Sequence, residues 1–87
     1  MKIKDGFILR EVSGSYIVVA VGDAVKNFNG MINLNETSAF LWKRLEKGCS
    51  KEELLAALLS EYDVQKDVAE QHLDKFISRL TEANLLV

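Results

Sequence analysis

The sequence predicts an α+β domain in which a three-stranded antiparallel sheet is followed by three α-helices. Up to residue 34 the apolar side chains alternate or form β-branched runs, and from residue 39 they recur at helical spacing. Two helix-start signals, at Asn35 and Ser50, stand in the second part of the chain. Eighty-seven residues give a single core and no second domain.

The first strand is expected over residues 7–12, with Phe7, Leu9 and Glu11 on one face and Ile8, Arg10 and Val12 on the other. Ser13, Gly14 and Ser15 form a turn, and the run Tyr16-Ile17-Val18-Val19-Ala20-Val21 returns as a well-buried second strand. Residues 22–29 mix glycine, aspartate, asparagine and lysine with isolated Ala24, Val25 and Phe28, and read as a loop with some strand character. Gly30 marks a tight return into the third strand, where residues 31–34 alternate.

Asn35 is the hinge between strand and helix. Its side chain can accept from the backbone N–H of Thr37 or Ser38, and Glu36 places negative charge in the first turn. The first helix, residues 36–46, carries Ala39, Phe40, Leu41, Trp42 and Leu45 and ends at Lys47-Gly48. Trp42 reads as a core residue. The second helix opens on a capping box, Ser50 to Glu53, with Cys49 as a hydrophobic staple against Leu54. Leu54, Leu55, Leu58 and Leu59 form its core stripe, and Tyr62-Asp63-Val64 breaks it. The third helix, residues 66–83, is roughly 25 Å long and poorly capped. Ala69, Leu73, Phe76, Ile77 and Leu80 form its apolar stripe, bordered by His72 and Arg79. Asn84 ends it in the left-handed conformation, and Leu85-Leu86-Val87 folds back on the core.

Apolar residues are 48% and charged residues 28% of the chain, which argues for a globular domain and against disorder. A net charge of −2 and a pI near 5.3 give no general attraction to nucleic acid or to anionic membrane. No apolar run is long enough to cross a bilayer and no export signal is evident, so the expected location is cytoplasmic. Cys49 is the only cysteine and His72 the only histidine, so neither a disulfide nor a cysteine-histidine metal site can form within the chain. Phosphate loops, metalloprotease motifs and nucleophile elbows are absent too, and no cofactor and no catalysis are expected.

A small sheet with three helices is the inventory of a winged-helix-like domain, and that order permits two functions. In one, the third helix enters a DNA major groove as a regulator's recognition helix. Its charges oppose this, because Lys66, Lys75 and Arg79 are outnumbered by Asp67, Glu70, Asp74 and Glu82. In the other, an extended peptide adds to the free edge of the third strand and packs beside the third helix.

The residues Leu34-Asn35-Glu36-Thr37, Ala39, Leu41-Trp42, Leu45 and Gly48 resemble the LNETxAxxW…L…G signature of PqqD-like proteins. These are peptide-recognition domains named for the D protein of pyrroloquinoline quinone biosynthesis. Ser50 to Leu54, Tyr62-Asp63-Val64, Leu73, Phe76-Ile77, Leu80 and Leu85-Leu86 continue the resemblance in order and spacing, while Ser38 and Asn84 stand where the family often has glycine. The resemblance implies a non-enzymatic adaptor that binds the leader segment of a ribosomally made precursor peptide. It further implies delivery to a modifying enzyme of the radical S-adenosylmethionine class in natural product biosynthesis. In that family the leader pairs antiparallel with the third strand and packs on the third helix. Carried over, the implied peptide-binding residues are Met31, Ile32, Asn33, Ala69, His72, Leu73, Phe76 and Arg79. An open edge of this kind can also pair with a second copy, giving a homodimer.

Overall fold

A computed structural model describes residues 1–26 and 31–87. The expected turn at Gly30, and Phe28 with it, lie outside the described residues. Strands β1 (Phe7–Val12), β2 (Ser15–Ala20) and β3 (Met31–Leu34) form one antiparallel sheet in the order β1-β2-β3. Helices α1 (Glu36–Lys47), α2 (Lys51–Glu61) and α3 (Lys66–Glu82) follow.

The β1-β2 hairpin closes on the pair Val12 and Ser15 with only Ser13 and Gly14 between them, one residue fewer than expected. Both have positive φ, 52° and 80°, the combination that lets a two-residue loop follow the twist of the strands. Between the hairpin and β3, residues Gly22–Lys26 form a 3-10 helix rather than strand-like loop. Isolated apolar residues there say little about backbone conformation, because none of the five is buried.

The cap signals are realised as hydrogen bonds. Asn35 Oδ1 accepts from Ser38 N at 2.8 Å, and Gly48 ends α1 at φ 86°. Ser50 Oγ accepts from Glu53 N at 3.1 Å while Ser50 N donates to Glu53 Oε1 at 3.0 Å, completing the box. Gln65 opens α3 without any side-chain cap.

The core lies between the inner face of the sheet and the three helices. Val18, Ile32 and Leu34 meet Leu41, Trp42 and Leu45 of α1, Leu54 and Leu58 of α2, and Ala69, Leu73, Phe76 and Leu80 of α3. Cys49 packs half-buried against this cluster, as a staple should. Leu85 is buried, and Leu86 forms an isolated antiparallel bridge with Ile3. Ile3 is itself a core residue.

Candidate functional site

The site is built on the free edge of β3. In a two-residue hairpin the closing pair exchanges backbone hydrogen bonds, so Ser15, Ile17 and Val19 direct their N–H and C=O groups toward β1. Tyr16 and Val18 therefore direct theirs toward β3, where their partners are Leu34 and Ile32. It follows that Met31 and Asn33 point their backbone groups away from the sheet. The side chains alternate on the second axis: Ile32 and Leu34 are buried, while Met31 and Asn33 are exposed, Met31 to 66%.

Helix α3 lies beside this edge. Arg79 Nη2 donates to the backbone oxygen of Asn33 at 3.0 Å, which confirms that the carbonyl faces outward. At the other end of the groove, Thr37 meets Ala69 and His72 around a small cavity of about 80 Å³ that Leu58, Tyr62 and Val64 complete. The lining is mostly apolar side chain, and Val64 is 41% exposed. From Arg79 to His72 the helix spans about 10 Å, the distance along α3 between the edge contact and the cavity.

The structure divides the eight residues carried over from the family. Met31, Asn33, His72 and Arg79 are exposed; Arg79 reaches Asn33 and His72 lines the cavity. Ile32, Leu73 and Phe76 are buried at 9%, 0% and 5% exposure, and Ala69 reaches the surface only where it lines the cavity. The apolar stripe of α3 is thus spent on the core. Its burial fixes the helix from which His72 and Arg79 project. Leu58, Tyr62 and Val64 had no reading as contact residues, since Tyr62-Asp63-Val64 looks in sequence like a helix break alone. The available signal was the apolar pair Tyr62 and Val64 flanking Asp63 in a turn.

A larger depression of about 790 Å³ lies elsewhere, lined by Phe40, Lys43, Arg44, Glu46, Lys47, Gly48, Cys49 and Glu53. Two of its three cations rest on aromatic rings: Arg44 lies 5.2 Å from the centre of the Phe40 ring and Lys43 lies 5.8 Å from that of Tyr16. Burial, then the charge of Glu53, pushes the Cys49 thiol above its ordinary range, the opposite of what activates a nucleophile. Among the described residues no group of three or more His, Cys, Asp or Glu could hold a metal ion, and no helix is long and apolar enough to cross a membrane.

Residues 7–86 match the family described as Coenzyme PQQ synthesis protein D (PqqD). The chain belongs to the PqqD family. Two solved structures share the fold of this PqqD-family chain. One, described as TbiB1 in complex with the TbiA(beta) leader peptide, is 24% identical with a TM-score of 0.78, covering 99% of this chain and 94% of that one. The other, lasso peptide synthetase B1 complexed with the leader peptide, is 21% identical with a TM-score of 0.74, covering 97% and 93%. No curated protein matches the sequence significantly. Helix α3 keeps the acidic excess that disfavours phosphate.

Proposed function

We propose that this PqqD-family protein binds the leader segment of a ribosomally made precursor peptide as a fourth strand on β3. The observation that carries this is the edge itself: two residues, Met31 and Asn33, present outward backbone groups next to a helix whose near face is fixed by the core. Membership of the family supports it, as do two relatives of the same fold described with leader peptides. In an added antiparallel strand, residues opposite Met31 and Asn33 exchange main-chain hydrogen bonds, giving affinity with little dependence on sequence. Residues opposite Ile32 and Leu34 point inward, toward α3 and the cavity, and supply selectivity.

The protein acts in this reading as an adaptor in the cytoplasm, handing the peptide to a modifying enzyme of the radical S-adenosylmethionine class, and performs no chemistry itself. The test is chemical-shift mapping with the cognate leader peptide. Shifts are expected at Met31, Asn33, Thr37, His72 and Arg79. Shifts confined to β1 and the outer face of α2 would place the peptide elsewhere and sink this site.

A further inference from the structure

We propose that Arg79 sets the selectivity of the groove by requiring an acidic side chain, Asp or Glu, on the incoming strand. This rests on the peptide-binding reading above and adds the chemistry of one peptide position. Arg79 is exposed, and among the described residues no carboxylate pairs with it: the two ion pairs are Lys26 with Asp23 and Lys51 with Asp74. Its hydrogen bond is to the carbonyl of Asn33, the acceptor that an added strand needs for its own N–H. One of five guanidinium donors is thereby engaged on the edge.

Strand addition changes this balance. An incoming N–H takes Asn33 O, the strand excludes water from the inner side of the edge, and the guanidinium is left beside the residue opposite Ile32 or Leu34. With a neutral side chain there, a partly desolvated cation loses its partner and gains none, which opposes binding. With a carboxylate, the fork of Arg79 closes on it with two parallel hydrogen bonds. The same side chain therefore covers the edge in the free protein and discriminates between peptides during binding. Because strand side chains alternate, the acidic residue and the apolar residue that enters the Thr37, Tyr62 and His72 cavity lie on one face, an even number of residues apart. A span of about 10 Å on α3 corresponds to two to four residues of strand.

A displayed library of random twelve-residue peptides, selected in parallel on the wild-type protein and on Arg79→Gln, Arg79→Glu and Arg79→Lys, tests this. Arg79 is exposed, so all four proteins are expected to fold, which circular dichroism checks. Wild type and Arg79→Lys should enrich Asp or Glu at one position, two or four residues from an apolar anchor. Arg79→Glu should enrich Lys or Arg there, and Arg79→Gln should lose the charge preference. Replacing the selected acid by its amide should weaken binding to wild type about tenfold and leave Arg79→Gln unchanged. Peptides that bind on β3 with no acidic preference, or with the same preference in Arg79→Gln, overturn the role of Arg79 and leave the adaptor standing. Failure of every selection overturns both.

Discussion

The ring of Tyr62 meets the ring of Phe40 edge to face, with centroids 5.6 Å apart and planes at 89°. This contact ties the end of α2 to α1, and the same Tyr62 forms a wall of the cavity at the end of the groove. Tyr62→Phe should keep the contact and change stability by less than about 1 kcal/mol, whereas Tyr62→Ala loses it along with buried area and costs about 2–3 kcal/mol. Urea denaturation measures both. Peptide affinity should follow the same order, and a Tyr62→Ala protein that binds peptide like wild type would remove the cavity from the site.

Trp42 has no exposed surface and sits in the centre of α1. Its truncation leaves a cavity that the surrounding leucines cannot close, and Trp42→Ala is expected to destabilise by about 3–5 kcal/mol. Against a total stability of order 5–15 kcal/mol for a domain, that is a large share. An unshifted denaturation midpoint would show that the α1 face is not in the core.

The capping box makes stability depend on pH. The Ser50 backbone N–H and its hydroxyl hold the Glu53 carboxyl below its ordinary range. A depressed folded-state pKa contributes stability that is full above the ordinary glutamate range and is lost as pH falls through the lower folded value. Glu53→Gln should therefore flatten the acid side of the stability profile and leave the profile above neutral pH parallel to wild type. Ser50→Ala removes the other half of the box and should cost about 1 kcal/mol.

Proline distinguishes the two backbone directions of β3. Asn33 points its N–H outward, so Asn33→Pro removes a donor that the sheet does not use and should leave the melting temperature within a few degrees while weakening peptide binding. Ile32 points its N–H at β2 and its side chain into the core, so Ile32→Pro should unfold the domain. The reverse result would mean that the edge register is shifted by one residue.

Much of this was legible because local rules act within a few residues. Asn35 and Ser50 announce their helices, alternation places Ile32 inward and Asn33 outward, and Asn84 takes the expected positive φ of 60°. Burial was harder to read. Helical spacing shows that Ala69, Leu73 and Phe76 share a face, but not that the core, with α2 packed against α3, already takes it up. Ile3 escaped notice because a single apolar residue among Lys2, Lys4 and Asp5 has no period to reveal it. The cavity is assembled from α1, α2, the turn after it and α3, and no short window of sequence contains it.

The missing cap on α3 gives the groove a soft end and a firm end. Gln65 supplies no side-chain cap, the one first-turn amide held by a side chain is that of Val68 on Asp67 Oδ1, and Val68 is 38% exposed, whereas Leu73, Phe76 and Leu80 anchor the later turns in the core. The first amides of α3 should therefore exchange with solvent deuterium through local fraying, long before those near Arg79 become accessible. A peptide seated against Ala69 and His72 would press that turn down. Its arrival should be visible as slowed exchange over residues 66–70, a signature of binding that does not depend on any new hydrogen bond there.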